Sequence, residues 1–235
     1  MSEWKQKRFW TEVSVDQQGN GFAVLLDGRG VKTPAKTSLI VPTEALAQAI
    51  AKEWDAQDEK IVPETMPMTR SANAALDKVT PQFKEVASLL AAYGETDLLC
   101  YRAASPSELI ERQATAWDPI LDWAAEKFDA RLNIGQGVMY VEQDPQAIDA
   151  LNKQVISMTP FELTGFHDLV GMSGSLVLAL SVIHGVTAVG DAWELSRLDE
   201  IWQIEQWGND EEADKISAQK RISFEHAHAF YKAVC

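Results

Sequence analysis

The hydrophobic pattern changes period near residue 70, and that change constrains the fold more than any other feature of the chain. Before it, Phe9, Thr11, Val13 and Val15 alternate with Trp10, Glu12 and Ser14, the period of two expected of a half-buried strand. Gly19-Asn20-Gly21 turns the chain into FAVLLD, and Asp27-Gly28 turns it again ahead of VKT and SLIV, which predicts a small antiparallel meander. Pro42-Thr43-Glu44 opens one helix, EALAQAIAKEW, in which Leu46, Ile50 and Trp54 recur at helical spacing. The segment from Ile61 to Thr69, with Pro63 and Pro67, reads as extended linker or edge strand.

After residue 70 every proline follows Thr, Ser or Asp: Thr80-Pro81, Ser105-Pro106, Asp118-Pro119, Asp144-Pro145 and Thr159-Pro160. A capping oxygen followed by proline at the first helical position is a helix-start signature. Ser105 with Glu108, and Thr159 with Glu162, have capping-box spacing. Helices are predicted near 71–79, 81–93, 106–117, 119–129, 145–157, 160–184, 190–207 and 210–232, with Asp118-Pro119 alternatively a kink in one long helix. GQGVMYVEQ, between Asn133 and Asp144, reads as a short strand or an ordered loop. The expected fold is α+β: a small N-terminal antiparallel β-rich domain with one helix (1–68), followed by a larger all-α C-terminal domain (69–235).

Within the helical part the stretch Asp191 to Gly208 is expected to be the central, most enclosed helix. On one continuous wheel Trp193, Leu195, Leu198, Ile201, Trp202, Ile204 and Trp207 cover roughly 240°. Glu194, Arg197 and Glu205 fall inside that arc, and a buried charge is costly without a partner. Arg197 can reach Glu194 one turn back. Two readings follow: an internal ion-pair network that fixes helix register, or a cleft or partner surface centred on Glu205.

Charge excludes several functions. The chain carries a net −14, which disfavours electrostatic binding to nucleic acid or an anionic membrane. Residues 191–215 hold nine Asp or Glu against Arg197 and Lys215, a local −7 that is either a solvated face or a docking site for a basic surface. No apolar run approaches a membrane span, and MSEWKQKRFW has neither a signal core nor a presequence, so the chain reads as cytoplasmic or already processed. Cys100 and Cys235 form no disulfide framework or metal spacing, and Cys100, inside LLCY, is expected in the core.

Catalytic patterns are weak. GMSGS at 171–175 has Ser where a nucleophile elbow needs its second Gly, and its small residues are expected to allow close helix packing. Gly19 and Gly21 lack the remainder of a dinucleotide fingerprint. His226 and His228 fall on different helix faces, and His167, Asp168 and His184 have no nucleophile at a recognisable spacing. No linear catalytic or metal-ligand signal is present, and an enzyme would have to assemble its site from residues that give none. The competing enzyme reading would use Glu194, Arg197 and Glu205 as an acid-base cluster. The eight tryptophans are mainly core residues, with one or two available as partner anchors.

LSRLDEIWQIEQWGNDEEA (195–213), ETDLLCYRA (95–103), WDPILDW (117–123), LAQAIAKEWDAQ (46–57) and PMTR (67–70) together resemble the assembly chaperones that hold the alpha subunit of the F-type ATP synthase head in mitochondria and alphaproteobacteria. The resemblance implies a β-rich N-terminal and a helical C-terminal domain, no turnover, no cofactor, and the free alpha subunit as partner of a chain monomeric by itself. It places the chain in a bacterial cytoplasm or, after processing, the mitochondrial matrix. Glu205, Trp207, Asp191, Glu194, Glu211 and Glu212 are then the candidate contacts, and Arg197, Arg102, Asp97 and Trp54 the structural network, with Arg102 expected to pair with Asp97 or an acid of the central helix.

Overall fold

The structure, a computed structural model, describes residues 7–235. In chain order it contains β1 (Val13–Gln18), β2 (Gly21–Leu26), β3 (Arg29–Gly30), β4 (Ile40–Val41), α1 (Glu44–Asp55), α2 (Pro67–Ala74), α3 (Phe83–Ala91), β5 (Tyr101–Arg102), α4 (Ser107–Phe128), β6 (Gly135–Gln136), α5 (Pro145–Ile156), α6 (Pro160–Ser173), α7 (Leu176–Ile183), α8 (Val189–Ser196), α9 (Leu198–Trp207) and α10 (Glu211–Val234). The class is α+β, as the change of period implies. Among the described residues no helix is long and apolar enough to cross a membrane.

The chain forms two compact units: residues up to Phe83 with Thr159–Gly165 and Ala229–Cys235, and Lys84–Met158 with Phe166–His228. The sequence division at 68/69, whose first six residues lie outside the described ones, differs from these units because two later segments return to the first core.

In the first unit β2 pairs antiparallel with β1 through Val13↔Leu26 to Gln18↔Gly21, and with both β3 and β4 at different points along its length. The ladder starts at Val13, not Phe9: Trp10 is buried and Phe9 is 69% exposed, opposite to the expected parity. The cause is Asp27, whose carboxylate accepts from the Thr11 and Glu12 amides (3.0 and 2.9 Å) and bends the chain before the strand. Leu46 and Ile50 of α1 pack with Val24, Leu39 and Val41 of the sheet region, Ala72 of α2, and Phe230 and Val234 of α10.

Ile61 to Thr69 is not extended throughout: Pro63–Thr65 forms a 3-10 turn and α2 begins at Pro67. That helix has no capping side chain of its own. Glu53 of α1 supplies it, accepting from the amides of Met68 (2.6 Å) and Thr69 (2.7 Å). Burial pushes the Glu53 carboxyl up against the opposing pull of those bonds.

Three of the five proline signals do not behave as N-caps. α4 runs unbroken through Pro119, as the kink alternative allowed. Ser105-Pro106 is cis, with Pro106 at the cap position and no side-chain cap, so that capping box does not form. Thr80 ends a π-helical turn, Ala75–Val79. Asp144 does cap Gln146 (2.8 Å), and Thr159 and Glu162 complete their box, the Thr159 amide donating to Glu162 (2.6 Å).

In the second unit the expected helix 160–184 breaks at Gly174 (φ +71°). Ser175 caps α7 by accepting from Leu178 N (2.9 Å), so GMSGS is a corner and not a packing stripe; a Cβ on Gly171 would touch nothing. The most enclosed helix is α7, where every residue from Leu176 to Val182 is buried. The helical part also holds one short parallel pairing, β5 with β6, Tyr101↔Gly135 and Arg102↔Gln136, which places a strand inside the uncertain 133–144 segment.

Candidate protein-binding surface

The stretch 191–208 is two helices, not one. Arg197 adopts φ −115°, ψ 17°, ending α8 and starting α9. The break resets the wheel, so the 240° arc never exists as one surface. Only Ala192, Trp193 and Leu198 are buried. Trp202 is half-buried and Trp207 is 79% exposed, which overturns the expectation of a central helix.

Polar contacts from α4 hold α9. Gln113 Nε2 donates to Asp199 Oδ1 (2.6 Å), and Arg112 donates to both Glu205 oxygens (2.6 and 3.0 Å) while its guanidinium lies 5.9 Å from the Trp202 ring centre. Glu205 is thus a surface residue, its side chain 46% exposed, and the guanidinium keeps its carboxyl below the usual range. The buried-network reading of Glu205 does not hold, since its carboxylate lies at the surface. Arg197 pairs forward with Glu200 (3.1 Å) and lies over Trp193, not back to Glu194. Glu194 instead pairs with Arg221 (2.7 Å), which also holds Glu225 (3.0 Å). The three members of the supposed acid-base cluster face different partners, so no acid-base site exists there.

The remaining supposed network members also separate. Arg102 pairs with Asp118 (2.8 Å), donates to Leu99 O (2.9 Å) and lies over the Trp117 ring. Asp97 does not touch it; fully buried, its carboxylate accepts from Leu99 N (3.0 Å) and Val177 N (2.9 Å), bracing the start of α7. Burial raises Asp97 to about 6 against the lowering effect of its donors, and raises the buried Cys100 thiol to about 12. Trp54 belongs to the first unit, where it packs edge-on to Trp10 at 5.3 Å.

Beyond Trp202 the character changes. No residue from Gln203 to Ser223 is buried, although 203–207 and 211–223 are helical. Helices of this length normally gain most of their stability from packing a face. Gly208 (φ +91°) stops α9, and Asp210 caps α10 by accepting from Glu212 N (2.9 Å). Glu211, Glu212 and Asp214 sit in the first turn of α10, where carboxylates complement the helix dipole, which accounts for part of the local −7. Asp191 and Glu194, on α8, are exposed as well. Sequence reasoning missed Arg112, Gln113 and Arg221, because partners 93, 86 and 27 positions away leave no local spacing. Among the described residues no group of three or more His, Cys, Asp or Glu could hold a metal.

Comparisons with known proteins converge. Residues 7–125 match the family model described as ATP12 chaperone protein. A curated relative, mitochondrial protein atp12 of Schizosaccharomyces pombe, is 26% identical, covering 89% of this chain and 76% of its own. The solved structure of a point mutant of Paracoccus denitrificans Atp12p is 48% identical with a TM-score of 0.97, covering all of both chains. That of a putative chaperone from Agrobacterium tumefaciens is 39% identical with a TM-score of 0.92, covering 97% of this chain and 86% of that one.

Proposed function

Because this chain belongs to the ATP12 chaperone family, we propose that it is an F-type ATP synthase assembly chaperone that binds the free alpha subunit and shields its interface until the beta subunit pairs with it. An alpha subunit without its partner exposes an oligomer interface, and exposed apolar surface of that kind aggregates. The observation that carries the reading is the unburied helical arm, Gln203 to Ser223, with Trp207 exposed at 79% on it. A rigid aromatic on a polar helix is the residue type that dominates interface energetics. Glu205, Glu211 and Glu212 on the arm, with Asp191 and Glu194 on α8, supply the acidic surround that attracts a basic client surface. The chain acts as a monomer without cofactor, in a bacterial cytoplasm or the mitochondrial matrix.

Capture of free alpha subunit by the purified chain tests this. Trp207→Ala should weaken capture about tenfold or more, the size of a hot-spot truncation, while leaving the melting temperature unchanged because the ring packs little in the free chain. Glu205→Gln should weaken it more than Glu212→Gln, since Glu205 is held in place by Arg112. Failure of the unaltered chain to capture alpha subunit refutes the reading; normal capture by Trp207→Ala removes the arm from it.

A further inference from the structure

A second face of the helical unit is built for contact, on α4 and the loop beyond it. At about 100° per residue, Glu108, Glu111, Asp118, Asp122 and Glu126 fall within roughly 80° of the α4 circumference, one acidic stripe along a 22-residue helix. Arg102 neutralises Asp118 and Arg131 neutralises Asp122 (3.2 Å); among the described residues no cation pairs with Glu108, Glu111 or Glu126. Beside the stripe is a groove of about 170 Å³, lined in equal number by charged residues, Asp118, Asp122 and Arg131, and apolar ones, Leu121, Leu132 and Ile134, of which Ile134 is the exposed one.

Ile134 leads from the groove into a loop that exposes Val138 at 97%, Met139 at 76% and Tyr140 at 63%. Apolar side chains so gathered and so exposed are unusual on a chain with no partner. The loop is also fixed at its base. Gln143 accepts from Asn133 N (2.7 Å) and donates to Asn133 O (3.0 Å), Asn133 Nδ2 donates to Glu142 O (2.9 Å), and Gly137 N donates to Arg102 O (2.8 Å). Bonds that close a loop around exposed apolar side chains lower the ordering cost of binding through them. The stripe adjoins the arm as well, because Arg112, one position beyond Glu111, is the residue that holds Glu205.

We propose that this groove and loop form a second docking surface for the client, taking a segment that carries an aliphatic or aromatic side chain beside a lysine or arginine. The apolar side chain packs on the exposed Ile134, Val138, Met139 and Tyr140, and the cation meets the uncompensated carboxylates of the stripe. The inference rests on the chaperone reading above, with the alpha subunit as client. Acidic or purely apolar segments fit less well, the first repelled by the stripe and the second leaving its charge unanswered.

The test is capture of free alpha subunit by the full chain over a salt series, with a photo-crosslinking side chain placed at position 139 in a parallel sample. Met139→Asp should weaken capture about tenfold. Glu126→Lys should weaken it and flatten its salt dependence. Both should melt with the unaltered chain, since both positions are exposed; Met139→Gln serves if the aspartate variant folds poorly. Crosslinked alpha-subunit peptides should carry Lys or Arg next to an apolar residue. Normal capture by Met139→Asp and Glu126→Lys, beside a Trp207→Ala variant that fails, overturns this surface alone. Crosslinks confined to peptides without a basic residue also overturn it. No capture by the unaltered chain overturns both readings.

Discussion

Asp97→Ala is expected to destabilise the helical unit by about 2–6 kcal/mol, since it orphans two buried amide donors at about 1–3 kcal/mol each. The side chain is fully enclosed and is the shared acceptor for Leu99 N and Val177 N, so water cannot replace it without opening the corner before α7. The same residue sets a pH dependence. Its folded-state carboxyl titrates at about 6, above the roughly 3.9 of an unfolded aspartate. Between those values the native chain holds a proton that the unfolded chain has lost. The contribution is therefore fully present below about pH 4 and declines as pH rises through about 6, a change on the order of 3 kcal/mol. Denaturant melts of the unaltered chain and Asp97→Asn from pH 4 to 7 should converge or cross as pH rises. Parallel curves would show that Asp97 does not titrate in that range.

Trp117→Ala is expected to cost a comparable 3–5 kcal/mol, the range for deleting a buried large aromatic. Trp117 is 1% exposed, donates its indole N–H to Leu195 O at 3.0 Å, and underlies the Arg102 guanidinium. Its loss removes core volume, an anchor between α4 and α8, and the support of the Arg102–Asp118 pair at once. Trp202→Ala, at the half-buried position on α9, should cost only about 1–2 kcal/mol, in proportion to the area it covers. Chemical denaturation of the two variants side by side distinguishes them. Equal losses would mean that α9 is packed as tightly as the core around α7.

The error about residues 191–208 has a single cause. A helical wheel presumes one unbroken axis, and nothing local in LSRLD announces that Arg197 leaves it. Once the axis breaks, the residues of α8 are phased independently of those of α9, and Ile204 and Trp207 of the supposed apolar arc become surface. The same presumption joined 160–173 to 176–183, where Gly174 supplied a visible signal that the apolar run outweighed. In contrast, the caps at Thr159, with Glu162, and at Asp144 formed as read, while the equally local pair Ser105 and Glu108 did not, because Pro106 takes the cap position there.

Local chemistry was therefore enough to determine the α+β class, the turns around β2 and the start of α1 at Thr43. Periodicity, turn residues and caps act over a few positions, and the chain states them directly. The tertiary structure alone decided that Glu53 would cap α2, that Asp97 would brace α7, that Arg112 would hold Glu205 across 93 positions, and that the helical arm would be left without a core. A carboxylate's partner is whichever donor the fold brings within about 3 Å. That distance depends on how distant helices pack, and no spacing along the sequence encodes it.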